Sequence, residues 1–368
     1  MSKAAELANL IGNINAGGGG VNRNLIINGA MNVAQRGTQT SHSSGYTLDR
    51  WNVYTTSAAR FTISQESDVP SGEGFANSIK LDVTTADSSV ASSDFGVFRT
   101  ILEGQDLQSF CKGTSNAKPF ALQFFIKSTV TGTYAIELVD SDNSRAVTKT
   151  YTVNSADTWE KKTITFPADT TGAFTDDNNS SLFIQWGLIM GDNYTSGTAS
   201  GSWESQTTAN RFVGQVNAVN STSNNIFFTG IQLEVGQNPT EFEHEPFEKT
   251  LDKCHRYYWK VGASTENELY YRYGNHGESI SSSQAQIVVN FPKKMRAQPS
   301  YTENGDIRWY SNGSIINPSG DCTIDGNGGG TYAINLVNSN LSGLTSGRAG
   351  IFLSYNNTTS FMEWDAEL

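Results

Sequence analysis

From Asn24 to about Glu245 the chain alternates apolar and polar residues with a period of two. Leu122, Phe124 and Ile126 alternate with Gln123, Phe125 and Lys127, and Leu182, Ile184, Trp186 and Leu188 alternate with Phe183, Gln185 and Gly187. Successive side chains of a strand point to opposite faces, so each run predicts a strand with one apolar face and one mixed polar–aromatic face. Over 226–235 the same reading puts Phe227, Thr229, Ile231 and Leu233 on one face and Phe228, Gly230, Gln232 and Glu234 on the other. Ile79–Val83, Val97–Leu102, Tyr134–Val139, Ala146–Val153 and Lys161–Phe166 are further strands, and Asp140–Ser144 has the composition of a hairpin turn. Many short strands between Gly, Asn and Ser turns predict an all-β fold, an antiparallel jelly-roll sandwich over residues 24–245.

The pattern changes near Thr240. An acidic linker closed by Pro246 precedes a short predicted helix, Thr250–Tyr257, and a second, smaller β domain over 246–368. Its expected strands are Glu268–Tyr273, Ser279–Asn290, Ile307–Tyr310, Tyr332–Val337, Ile351–Tyr355 and Phe361–Glu367, with a turn at Asp325–Gly330. No repeat of 20–50 residues is present, which disfavours solenoids and propellers. At the other end, Ala4, Leu7, Ile11 and Ile14 form one heptad seam of a short helix, followed by four glycines at 17–20. Two turns of seam are unstable alone in water. Residues 1–23 therefore read as a tail-attachment or trimerisation segment with a hinge, or as a frayed terminus.

Composition narrows the function. The 25 Lys+Arg stand against 36 Asp+Glu, a formal charge of −11, and only 17% of residues are charged, below the usual 25% or so. An acidic chain without a Lys/Arg stripe repels phosphate, so no nucleic-acid partner is expected. No apolar run approaches the ~18 residues of a membrane span, so no membrane insertion is expected, and the first 20 residues lack the apolar stretch of a secretory signal. Cys111, Cys254 and Cys322 are odd in number and widely spaced, which fits thiols in a reducing cytosol.

Candidate chemistry is sparse. His42, His244, His255 and His276 show no metal-ligand spacing, no nucleophile elbow is present, and neither metal nor cofactor is expected. Asp140/Asp142 and Asp176/Asp177 read as solvated turn carboxylates, with calcium ligation as the alternative. Glu234, Glu241, Glu243, Glu245 and Glu248 read as a charged linker face rather than a glycosidase pair. The strongest binding signal is a set of polar and aromatic strand positions: Gln123, Phe125, Lys127, Gln185, Gln232 and Glu234. Such groups read sugar hydroxyls and stack on sugar rings, and they also fit a subunit contact or a solvated face. Trp51, Trp159, Trp186 and Trp203 are possible platforms, with Trp186 on the apolar side. In the second domain Tyr270, Tyr271, Tyr273, Arg308 and Trp309 are candidates for receptor contact, or for core and interface.

Longer motifs carry a family resemblance. Asn24-Leu-Ile-Ile-Asn-Gly-Ala-Met-Asn-Val-Ala-Gln-Arg-Gly37 and Leu48-Asp-Arg-Trp51 resemble the opening of tail-fibre-like proteins of tailed bacteriophages. Phe228-Thr-Gly-Ile-Gln-Leu-Glu-Val-Gly-Gln-Asn-Pro-Thr-Glu-Phe-Glu243 is similar to the strand that closes their first domain, and Leu251-Asp-Lys-Cys-His-Arg-Tyr-Tyr258 to the junction after it. Phe291-Pro-Lys-Lys-Met-Arg-Ala-Gln-Pro-Ser300 and Trp364-Asp-Ala-Glu-Leu368 resemble the distal part. The resemblance implies a jelly roll similar to carbohydrate-binding modules, a distal β knob, a homotrimer, and a place on the virion tail after assembly in the host cytoplasm. It implies partners at both ends: a tail adaptor, nozzle or baseplate protein through the N-terminus, and a host-surface glycan or protein. It supplies no catalytic residues. The expectation is a non-enzymatic tail fibre; a polysaccharide-depolymerase tailspike and a purely structural tail component are the alternatives.

Overall fold

The computed structural model describes residues 3–4, 22–326 and 328–368. Leu7, Ile11 and Ile14 of the predicted seam lie outside the described residues; Ala4 is exposed. The chain divides into two compact units, one of Met1–Thr250 with Leu368 and one of Leu251–Glu367.

In the first unit the strands are β1 (Gln39–His42), β2 (Ser44–Tyr46), β3 (Asn52–Thr55), β4 (Arg60–Glu66), β5 (Ser78–Thr85), β6 (Phe95–Glu103), β7 (Phe120–Ser128), β8 (Gly132–Asp140), β9 (Arg145–Val153), β10 (Glu160–Phe166), β11 (Ser180–Met190), β12 (Glu204–Ser205) and β13 (Asn225–Val235). They build two antiparallel sheets, of order β1-β4-β5-β13-β7-β10 and β12-β9-β8-β11-β6-β3-β2. The result is the expected all-β, jelly-roll-like sandwich. The core lies between the sheets, and rings interlock across it: Phe98 stacks on Phe228 at 4.9 Å, and Phe124 meets Trp186 edge-on at 5.6 Å.

The alternation of β7 and β11 is as read from the sequence: Leu122, Phe124, Ile126, Leu182, Ile184, Trp186 and Leu188 are all buried in this core. In β13 the phase breaks. Ile226 and Phe228 face the core, and then Ile231, Leu233 and Val235 do, so Phe227 and Thr229 stand on the outer side. The cause is a bulge at Gly230, whose φ of 62° lies in the left-handed region.

The motif residues near the N-terminus are hydrogen-bonding knots. Asn24 Oδ1 accepts the N–H groups of Ile26 and Leu233, and Asn28 Nδ2 donates to the carbonyls of Val33 and Asp49. Asp49 Oδ2 accepts the Gln35 N–H, and Trp51 Nε1 donates to the Asn28 carbonyl. Gly29 packs so closely on Ile231 that a Cβ would collide with its carbonyl oxygen.

One end of the sandwich holds a buried cation. Lys112 Nζ lies 2.5 Å from Asp140 Oδ2, 3.0 Å from Asp169 Oδ2, and 3.0 and 2.8 Å from the carbonyl oxygens of Thr171 and Gly172, with its side chain fully buried. It also lies over the rings of Phe174 and Trp203. Asp140 is thus an internal ion-pair partner, not the solvated turn carboxylate expected. Asp142 and Asp177 instead accept loop N–H groups, from Thr175 and Asn179.

The second unit contains β14 (Tyr258–Val261), β15 (Arg272–Ser279), β16 (Ala285–Asn290), β17 (Ser300–Asn304), β18 (Ile307–Ser311), β19 (Ser314–Ile316), β20 (Thr323–Ile324), β21 (Ala333–Asn338), β22 (Ala349–Ser354) and β23 (Phe361–Asp365). A three-stranded sheet, β14-β23-β17, and a seven-stranded sheet, β19-β18-β22-β15-β16-β21-β20, enclose a separate core around Trp309, Phe352 and Trp364. The short helix runs Phe247–Cys254 rather than Thr250–Tyr257, because Pro246 opens it and accepts its first N–H groups. Among the described residues no helix is long and apolar enough to cross a membrane.

Candidate functional site

The outward face of the seven-stranded sheet in the first unit carries a polar row. Strand register places Asn52 beside Arg99, Arg99 beside Gln185, Gln185 beside Glu137 and Glu137 beside Thr148. Each belongs to the outward set of its strand, opposite core residues such as Val53, Phe98, Trp186 and Ile136, so alternation alone delivers five polar side chains in line. Flanking rows put Tyr54 on one side and Phe183 with Val139 on the other.

Residues 191–219 return over this face and make a wall. Phe212 N–H bonds the Tyr194 carbonyl, Ala135 N–H bonds Gln215 Oε1, and Val216 N–H bonds the Thr133 carbonyl. Phe95 is the hub of the aromatic contacts, 6.1 Å from Tyr54, 5.0 Å from Tyr194 and 5.6 Å from Phe212. The resulting groove encloses about 440 Å³ between Tyr54, Phe95, Arg99, Phe183, Gln185, Tyr194, Gln206 and Arg211.

The two arginines are held differently. Arg211 forks onto Glu137, with Nε 3.0 Å from Oε1 and Nη2 2.8 Å from Oε2, and lies 4.9 Å from the Phe95 ring. Glu137 is buried, and burial pushes its carboxyl above the usual carboxylate range despite Arg211. Gln185 Nε2 donates to the same carboxylate at 3.2 Å. Arg99 lies between the rings of Tyr54 (5.1 Å) and Phe183 (5.5 Å), and its Nε donates to Asn52 Oδ1 at 3.0 Å. Burial lowers its affinity for the proton. The groove thus offers aromatic faces, a planar amide and planar guanidinium edges, and no carboxylate among its lining residues.

The six strand positions grouped from alternation do not share a face. Gln185 is in this groove. Gln123, Phe125, Lys127, Gln232 and Glu234 lie on the outward side of the other sheet, since β7 and β13 pair there. That side is covered by the chain. Glu243 N–H donates to Gln232 Oε1 at 2.8 Å, Thr240 Oγ1 to Glu234 at 3.0 Å, and Phe242 and His244 pack on Phe75, which itself abuts Phe125. Glu243 accepts the N–H groups of Asn22, Arg23 and Asn24; burial opposes its ionisation, but these bonds bring its carboxyl below the usual range. Glu234 and Glu243 therefore fasten chain segments, while Glu245 pairs with Lys249. Lys127 pairs with Asp68 and covers Phe227.

In the second unit Tyr273 and Trp309 are core residues, because β15 and β18 turn them inward. Tyr271 packs edge-on against Tyr273. Tyr270 is exposed, and Arg308 forks onto Asp306 beneath Tyr355. Of the tryptophans, Trp51 and Trp186 are core, Trp203 covers Lys112, and Trp159 is half-buried with its Nε1 on Asp68. Sequence reasoning missed Tyr54, Arg99, Tyr194, Gln206 and Arg211. For Arg99 a signal existed, since it alternates with Phe98 and Thr100 in a strand already recognised; for the wall at 191–219 no periodic signal exists. Among the described residues no group of three or more His, Cys, Asp or Glu is placed to hold a metal ion.

No protein-family model matches the chain, and neither does any curated protein. Among solved structures it is similar to the enzymatically active domain of bacteriophage CBA120 tailspike protein 4, at 15% identity and a TM-score of 0.31 over 58% of this chain and 21% of that one. It is similar to a CBM4 structure, at 13% identity and a TM-score of 0.28 over 56% and 97%. A family 11 carbohydrate-binding module from Clostridium thermocellum, in complex with a mixed-linked tetrasaccharide, gives 12% and 0.28 over 55% and 98%. The chain thus spans about a fifth of the tailspike structure, and likenesses of this size assign it to no family.

Proposed function

We propose that the chain is a non-enzymatic tail fibre of a tailed bacteriophage whose first unit binds a host-surface glycan. The observation that carries the glycan reading is the groove: Tyr54, Phe183 and Tyr194 offer apolar ring faces beside the hydrogen-bonding edges of Gln185, Gln206 and Arg99. Sugars present flat C–H faces and rims of hydroxyls, so this mixture suits them. The absence of a lining carboxylate, with Glu137 tied to Arg211 and Gln185 below, supports holding over hydrolysis. The motifs at 24–37, 228–243 and 291–300 support the tail assignment, and residues 1–23 are the segment that would join three copies to a tail protein.

The full-length protein should bind oligosaccharides released from host envelopes, measured by calorimetry, and should compete with phage adsorption. The Tyr54→Ala/Tyr194→Ala double variant should bind about tenfold or more weakly while still unfolding in one cooperative thermal transition. New reducing ends in the incubated polysaccharide, or full binding by the folded double variant, would overturn the proposal.

A further inference from the structure

Arg99 is the unusual group in the groove. Glu137 neutralises Arg211 by a bidentate pair, but no carboxylate lies within ion-pairing distance of Arg99 among the described residues, although the chain carries eleven more acidic than basic side chains. Its one hydrogen bond among the described residues is from Nε to the neutral Asn52, which leaves the Nη1 and Nη2 edge without a protein partner. It is half-buried between two rings, where a charge without a counter-ion is costly. Arg211, fixed nearby and already paired with Glu137, supplies no negative charge to Arg99. The free Nη1 and Nη2 edge is thus available to an anion that enters the groove.

We propose that the groove selects acidic saccharides, with the free Arg99 edge pairing the carboxylate of a uronic-acid-type sugar while Tyr54 and Phe183 flank its ring. The inference rests on the glycan reading above and deepens it. A guanidinium edge matches a planar carboxylate through two parallel N–H···O bonds, a fit that an ammonium cannot give. The neighbouring Gln185, 3% exposed in the groove floor, has no hydrogen-bond partner on its Oε1 among the described residues, since its amide nitrogen is the group engaged by Glu137, and that oxygen can accept a sugar hydroxyl. A phosphate or sulphate ester shares the negative charge but is not planar, so the test separates these sources.

The full-length protein is assayed against a panel of uronate-containing oligosaccharides, their carboxyl-reduced counterparts and sulphated analogues. At least one uronate glycan should bind about tenfold or more tightly than its reduced counterpart, with an affinity that falls as salt rises. Arg99→Gln should weaken the uronate glycan about tenfold or more beyond whatever it costs the reduced glycan; Arg99→Lys should restore only part of that difference. Equal affinity for acidic and reduced glycans, or an equal loss for both in Arg99→Gln, would overturn the acidic preference and leave the glycan reading intact. Sulphated analogues binding as tightly as uronates would overturn the carboxylate assignment. No binding to any member of the panel would overturn both. If Arg99→Gln does not fold, the salt dependence of the wild-type affinities decides: a slope for the uronate equal to that for its reduced counterpart overturns the proposal.

Discussion

Glu160 shows how single side chains set the stability of the β9–β10 turn. Its Oε1 accepts the N–H groups of Asn154 and Ser155 at 2.8 and 2.9 Å, and its Oε2 accepts Asn154 Nδ2 and Lys162 Nζ. Burial opposes its ionisation, but these donors outweigh it and bring the carboxyl from 4.5 to about 2. A carboxyl lowered in the folded state adds stability above its unfolded value and loses it as pH falls through the folded value. Glu160→Gln should therefore unfold at lower urea than wild type at pH 7, and the gap should close between pH 4.5 and about 2. A gap that persists at pH 2 would refute the ionic origin. The same scale explains the motifs that carried the family resemblance. Asn24, Asn28, Asp49 and Trp51 tie the first turns of the chain to β13 and to one another. A sequence shows that such residues occur together, but not that their partners are backbone groups some 20 or 200 positions away.

At the scale of elements, period-two patterning located nearly every long strand of the sandwich and the burial of β7 and β11. It failed where one residue reverses the phase. Gly230 adds a step to β13, so the half before it and the half after it present opposite parities to the core. An alanine there would meet the Phe75 and Phe125 rings at 2.6 and 2.9 Å and keep a positive φ. Gly230→Ala should lower unfolding stability by about 2–4 kcal/mol, the sum of left-handed strain and overpacking; an unchanged urea midpoint would show that β13 tolerates another path. The six polar positions were grouped onto one face for a related reason. Alternation says which positions point outward, but not which sheet a strand joins or whether later chain covers that face. Gln232 and Glu234 satisfied the pattern and lie under residues 240–245, whereas Arg99 satisfied it equally and lies in the groove.

Among the described residues each unit has its own main core, one from Ile26 to Val235 and one from Tyr273 to Ala366, and a smaller cluster around Phe95 and Phe212 lies in the first unit. Recognition by one shallow groove is weak, and the proposed fibre gains its hold from copy number. Removing residues 1–21, which spares the bonds of Asn22 and Arg23 to Glu243, should convert a trimer to a monomer in sedimentation. Its affinity for a single oligosaccharide should stay the same, while retention on a polysaccharide-coated surface falls by about 10²–10⁴-fold. A trimer that survives the truncation would place the assembly contacts elsewhere. Lys112 has a consequence at this scale too. Lys112 and Arg145 together balance Asp140 and Asp169, and because the Lys112 charge is bonded to the polypeptide it arrives with synthesis in fixed stoichiometry. Chelators cannot strip it and dilution cannot deplete it. That end of the sandwich keeps this counter-charge whatever the ionic make-up of the surrounding solution.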